Sequence, residues 1–238
     1  MLKYDLNNIS KMNFSGNTAN KAYFGGNVCY QYMTSDAPEP PSSNIGYISF
    51  SSNGSVLASG DCNSLSNGVV NRSVITDGGN ISISSIYAVE IGACVTEISA
   101  YTFASAGDVK VSAVTFEQGS QLATIGERAF KDAKGFTTPI ELPNSVTTIG
   151  NYAFSYADKM AGVFTIPSGV TYIGTYCFEG LRKITSFVIE ATTPPTIGNT
   201  PFIGTNCAIY VPAGSVNAYK TASGWSTYAS RIQAIPNS

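Results

Sequence analysis

VTTIGNYAF, residues 146–154, decides how this chain is read, because it comes back: VTYIGTYCF at 170–178, LATIGERAF at 122–130, VTEISAYTF at 95–103 and, worn down, PTIGNTPF at 195–202. Ile98, Ile125, Ile149, Ile173 and Ile197 hold one slot, and Phe103, Phe130, Phe154, Phe178 and Phe202 hold the next. Successive isoleucines lie 27, 24, 24 and 24 residues apart. A unit that short cannot bury its own apolar face, so the period predicts one coil of a stack per unit. Within each coil, VTTI or VTYI reads as a short strand that Gly150 or Gly174 breaks, and NYAFSYA or TYCFEGL as a tight turn that points Phe154 or Phe178 inward. A second strand is expected to follow: AVTF at 113–116, PIEL at 139–142, VFTI at 163–166, FVIE at 187–190 and AIYV at 208–211. Pro143, Pro167 and Pro212 end three of these, where a coil turns a corner.

Outward from the repeats, the expected organisation has four parts. Residues 1–34 read as a small β-meander, since KMNFSGNTAN and KAYFGGNVCY repeat at a period of ten, one strand plus one Gly-Asn turn. Residues 35–44 read as a linker held extended by Pro38, Pro40 and Pro41. Residues 45–92 read as a β-rich N-terminal cap, with or without a decayed coil in it, covering the open end of the first full coil. Residues 93–238 carry the repeats and a C-terminal cap. In that cap Ser215 is expected to start a short helix with Val216 and Tyr219, followed by Trp225, Tyr228 and Ile232 at helical spacing.

Composition narrows the function. The chain has 238 residues, is 43% hydrophobic and only 12% charged, so Ser, Thr, Asn and Gly must supply the polar surface. A net charge of −2 leaves no basic footprint for a phosphate backbone, and nucleic acid is not an expected partner. No apolar run is long enough for a spanning helix, so no membrane insertion is expected. The opening MLKYDLNNIS has no apolar stretch behind its Lys3 and reads as lacking a secretory signal. The five cysteines are Cys29, Cys62, Cys94, Cys177 and Cys207; with an odd count and no CxxC, a disulfide framework is not expected. Cys177 fills the slot of Ala129 and Ala153 and reads as a small buried hydrophobe.

LPNSVTTIGNYAF, IPSGVTYIGTYCF and the variant VTFEQGSQLATIGERAF resemble the BspA-like leucine-rich repeat family of bacterial surface proteins, over roughly residues 93–230. The ending VPAGSVNAYKTASGW resembles that family's terminal cap. The resemblance implies a right-handed, β-rich solenoid without catalysis, and roles in adhesion to host proteins, other cells or matrix. The paired KMNFSGN and KAYFGGN are similar to short modules in structural proteins of phages infecting gut bacteria. That second resemblance implies an alternative: a virion protein contacting its neighbours through residues 1–34 and displaying the solenoid for attachment.

The absence of histidine removes Ser-His-Asp and Cys-His systems and HExxH zinc sites. Two-carboxylate glycosidase chemistry would draw on Glu127, Asp132, Glu141, Asp158, Glu179 and Glu190, which fall in different slots of the coil and read as solvated surface. Asp61, Asn63, Asn67 and Gly68 outline a calcium-type loop, but Leu65 stands where an oxygen ligand is wanted. No catalytic residue, metal ligand or cofactor is assigned. Binding is expected on exposed ladders, where equivalent side chains of neighbouring coils stand about 4.8 Å apart. One ladder is Thr115, Glu141, Thr165, Val188 and Tyr210; a second is Tyr101, Arg128, Tyr152 and Tyr176, just before the core Phe. Exposed Tyr with one Arg suits protein or sugar ligands on a host or bacterial surface; the alternative is that these rings simply pack over the turn of the next coil.

Overall fold

The computed structural model describes residues 10–14, 17–24, 27–31, 45–52, 54–105 and 109–236. Two compact units divide the chain at Ser43/Asn44. In the first, strands Ser10–Phe14, Asn17–Phe24 and Asn27–Gln31 form an antiparallel sheet whose register pairs Phe14 with Asn17 and Phe24 with Asn27. The proline-rich linker lies outside the described residues.

The second unit is mostly β with a few short helices. Its organising element is a six-stranded parallel sheet of two-residue strands in the order Thr196–Ile197, Tyr172–Ile173, Thr148–Ile149, Thr124–Ile125, Glu97–Ile98 and Val69–Val70. The register places Ile125 beside Ile149 and Ile149 beside Ile173, so each repeat pairs with its own image. The glycine that follows Ile125, Ile149, Ile173 and Ile197 is required by proximity: a Cβ on Gly174 would stand 2.4 Å from the backbone N of Asn151 in the preceding coil. Next, the turn segment hydrogen-bonds coil to coil in one direction. Tyr152, Phe154 and Tyr156 donate their N–H groups to the carbonyls of Thr175, Cys177 and Glu179 at 2.9, 2.9 and 2.8 Å, and the coils on either side repeat the pattern.

Between these walls runs the core. Phe103, Phe130, Phe154, Phe178 and Phe202 are fully buried and stack ring on ring, with centroids 4.9, 5.1, 5.7 and 5.5 Å apart and planes within 13°. Cys177 is fully buried beside them, and burial drives its thiol pKa well above the ordinary value, so it packs as the small hydrophobe its slot demands.

The second strands form two sheets instead of one. Ala113–Phe116 pairs with Ala88–Ile91 and, through it, with the antiparallel strands Ile45–Phe50 and Val56–Asp61. Ala161–Ile166, Lys183–Ile189, Ala208–Val211 and Ile232–Ala234 form the other, all parallel. The expected strand at 139–142 is absent and the two sheets end on either side of it. Pro139 has no N–H to give to a ladder, which interrupts pairing at that coil.

Three further expectations are corrected. Cys62 and Cys94 form a disulfide, with Cα atoms 6.0 Å apart across 32 positions of sequence, which neither the odd cysteine count nor the spacing revealed. Ser215 does not cap the Val216–Thr221 helix. Its own backbone is already helical (φ −103, ψ −6), and its hydroxyl instead donates to Thr192 O at 2.7 Å. Gly224, at φ 79, ends the helical path, so Trp225–Tyr228 is a separate 3-10 turn and Ile232 enters a strand pairing with Ile209. The aromatic residues nevertheless pack on the last core ring: Trp225 and Tyr228 lie 5.7 and 5.3 Å from the Phe202 ring, and Trp225 Nε1 donates to Pro195 O at 2.7 Å.

Candidate functional site

The first expected ladder is only partly assembled. Parallel register sets Thr165 beside Val188, Val188 beside Tyr210 and Tyr210 beside Gln233, so three of the five residues form one row that Gln233 extends. Thr115 lies in the other sheet, beside the buried Glu90, and Glu141 sits on the unpaired 139–142 segment. Thr165 and Glu141 are exposed, while Thr115, Val188 and Tyr210 are half-buried. Phe116 and Leu142 are only partly buried against the core, unlike Ile166 and Ile189.

The second ladder is contiguous. The Arg128 guanidinium lies 5.5 Å from the Tyr101 ring centroid and 4.8 Å from that of Tyr152, and the Tyr152 and Tyr176 rings stack at 5.2 Å and 28°. Arg128 Nη1 donates to the Tyr101 hydroxyl and pairs with the Glu127 carboxylate. The Tyr101 hydrogen bond, supported by Glu127, raises the guanidinium pKa and holds the charge in place. Tyr101 is 49% exposed, and the other three are half-buried.

All four residues share a backbone conformation that their type disfavours. Tyr101, Arg128, Tyr152 and Tyr176 have φ of 60°, 54°, 56° and 54°. A left-handed residue turns the chain so that its side chain leaves the coil while the Phe two positions later enters the core. For a residue with a Cβ this costs on the order of 1 kcal/mol, and glycine would avoid it. A second left-handed slot lies four residues on, at Asp132, Tyr156, Gly180 and Gly204. There the chain does use glycine in the later coils. Tyr156 lays its ring on Gly180, where a Cβ would stand 2.8 Å from Tyr156 Cδ1, and its hydroxyl donates to Glu179 Oε1 at 2.8 Å. Sequence reading missed Tyr156, although the glycines at the equivalent positions were the available signal.

One row earlier, the polar residues Glu127, Asn151, Thr175 and Asn199 also repeat coil by coil. Asn151 Oδ1 accepts from Thr175 N at 2.8 Å and Thr175 Oγ1 accepts from Asn199 N at 3.0 Å. At the start of the stack, Arg72 donates to the carbonyls of Tyr101 (2.9 Å), Thr102 (3.2 Å) and Ala104, filling the place of a preceding coil.

The carboxylates do not assemble into a pair. Glu127 is held by Arg128, Asp132 by Lys131 at 2.9 Å, and Glu179 by Ser155 and Tyr156; Glu141 and Glu190 are exposed and separate. Asp158 is half-buried, its Oδ1 without a partner among the described residues. A concavity of roughly 600 Å³ bordered by Tyr87, Lys110, Lys134 and Asp132 includes one carboxylate among its described lining. Leu65, at the weak point of the calcium-type loop, is buried in the core, and no cluster of metal-ligating side chains occurs among the described residues. No described helix is long and apolar enough to cross a membrane.

Comparison with known proteins gives a match to the family model of the BspA type leucine rich repeat region, in six copies over residues 80–209. A search of curated proteins finds no match. Among solved structures, the chain is similar to the pneumococcal vaccine antigen PcpA, at 19% identity and a TM-score of 0.44, covering 63% of this chain and 42% of that one. It is also similar to a leucine rich cell surface protein from Faecalibacterium prausnitzii A2-165, at 18% identity and a TM-score of 0.46, covering 87% and 50%. The chain thus spans half or less of the length of these two proteins.

Proposed function

Since the chain belongs to the BspA-type leucine-rich repeat family, we propose that it is a non-enzymatic recognition and adhesion protein presented outside a bacterial cell. In this reading residues 45–236 form a right-handed solenoid with a cap at either end, and the Tyr101–Arg128–Tyr152–Tyr176 column is its contact surface for a host or bacterial protein or glycan. The observation that carries the reading is the column itself. Four bulky side chains are kept at strained left-handed positions and brought outward in one line, and strain retained by the surrounding structure is a pointer to use.

The Cys62–Cys94 disulfide supports the location, because such bonds persist in oxidising surroundings such as the cell exterior. The separation of the carboxylates supports the absence of hydrolysis, which needs two of them flanking one bond. The virion alternative draws no support from the comparisons.

The test is retention of the purified, fluorescently labelled chain on mucosal cells and on gut bacteria. The Arg128→Ala/Tyr152→Ala variant is expected to be retained at least about fivefold less, in line with the loss of two interface anchors. A Thr165→Ala/Gln233→Ala variant on the other row is expected to behave as the parent. Equal retention of all three proteins would overturn the assignment of the column.

A further inference from the structure

The same column indicates what class of ligand it fits, an inference that rests on the reading above. Within the column the faces that look along the stack are occupied: Arg128 covers one face each of Tyr101 and Tyr152, and Tyr152 stacks on Tyr176. The Tyr152 ring is thus held between Arg128 and Tyr176, and what the three rings have in common to offer a ligand is the hydroxyl-bearing edge and not a row of open apolar plates. The Arg128 charge is balanced by Glu127, and no other charged side chain belongs to the column. A polyanion or an acidic peptide therefore has no excess charge to meet.

The spacing is the second constraint. Neighbouring members of the column stand 4.8 to 5.5 Å apart. The adjacent row repeats at the same interval and keeps donors in reserve: neither Asn151 Nδ2 nor the Thr175 hydroxyl proton has a partner among the described residues. An extended peptide laid along this line presents same-side groups roughly 6.7 Å apart and falls out of step after one coil. An extended chain of β-1,4-linked pyranose rings advances by about one coil height per ring and carries hydroxyls on both edges at every step. We propose that the column binds a neutral linear glycan running parallel to the stack, one ring per coil. Tyr101, Tyr152 and Tyr176 hydroxyls and Arg128 contact one edge of the glycan, while the Asn151 and Thr175 side chains contact the other.

The experiment is calorimetry of the full chain with neutral β-1,4-linked oligomers of glucose and of N-acetylglucosamine, from dimer to hexamer. Affinity is expected to rise severalfold with each added ring up to the tetramer and then level off, because four coils carry the column. The Tyr152→Phe/Tyr176→Phe variant keeps both rings and their stacking but removes the hydroxyls. It should melt like the parent and bind the tetramer at least about tenfold more weakly. Length-independent affinity, or full affinity in that variant, would overturn the glycan assignment. If no oligomer binds while retention on cells still depends on Arg128 and Tyr152, the ligand class is wrong and the recognition surface stands. If no oligomer binds and retention is also indifferent to those residues, both fall.

Discussion

Removing one ring from the aromatic column, Phe154→Ala, interrogates the core directly. Phe154 is fully buried and touches three other rings: Phe130 at 5.1 Å and 1°, Phe178 at 5.7 Å and 7°, and Phe164 edge-on at 5.1 Å and 71°. Truncating a fully buried Phe costs about 3 to 5 kcal/mol, the lost transfer energy plus the cavity left behind. The upper part of that range is expected here. The coil backbones on either side are fixed by the 2.9 Å bond from Phe154 N to Cys177 O and the 2.7 Å bond from Phe130 N to Ala153 O, so the hole cannot collapse. Phe103 provides the internal comparison, because among the described residues the Phe130 ring, at 4.9 Å, is its only close aromatic neighbour. Phe103→Ala should therefore fall near the lower end, with each forfeited ring pair accounting for about 0.5 to 1.5 kcal/mol of the difference. Urea unfolding followed by tyrosine and tryptophan fluorescence gives both values. A loss under about 1 kcal/mol for Phe154→Ala, or a larger loss for Phe103→Ala, would refute the idea of a shared, incompressible spine.

Other expectations are equally concrete. Gly174→Ala should destabilise far more than Gly214→Ala in thermal melts, since its Cβ would meet the Asn151 backbone at 2.4 Å whereas at Gly214 nothing lies within 4 Å. Breaking the Cys62–Cys94 bond with Cys62→Ser/Cys94→Ser should cost about 3.5 kcal/mol from the entropy of a loop spanning 32 positions; the same drop should appear when the parent is unfolded under reductant. Tyr219 is fully buried, its hydroxyl donating to Ala191 O at 2.8 Å, and burial pushes its pKa up. The folded state therefore resists ionisation that the unfolded chain undergoes near pH 10, so this contribution to stability is intact below about pH 10 and declines above it. Tyr219→Phe should flatten that alkaline decline while lowering stability by about 1 kcal/mol at neutral pH.

The repeat was legible because each Ile and Phe slot reports one physical demand, a rung of the core, and the structure places every such rung in register. The Tyr and Arg column was legible for the same reason, since it lies a fixed two positions before the Phe. What the sequence hid were features with no periodic signature. The disulfide joins two positions outside the repeated slots, and its partners are fixed by the path of the strands between them. PIEL carries the alternation of a strand, yet Pro139 withholds the hydrogen bond that would have made it one. Ser215 has the side chain of a helix cap but a backbone already turned helical by the preceding Ala213–Ser215 turn, so its hydroxyl serves the chain below it. Left-handed backbone at Tyr and Arg runs against residue preference and is visible only once the coils are placed side by side.

The backbone-to-backbone hydrogen bonds from the turn positions Tyr152, Phe154 and Tyr156 and their counterparts in neighbouring coils run from the earlier coil to the later one, which makes the two ends of the column of turns chemically unlike. At the early end, the carbonyls of Thr102 and Ala104 occupy the acceptor positions that Ala129 and Lys131 hold one coil on, with no earlier turn to supply their donors. A single guanidinium, that of Arg72, satisfies both. The column of turns thus ends on a side chain of its own fold, and these two carbonyls are no longer open acceptors for another copy of the chain.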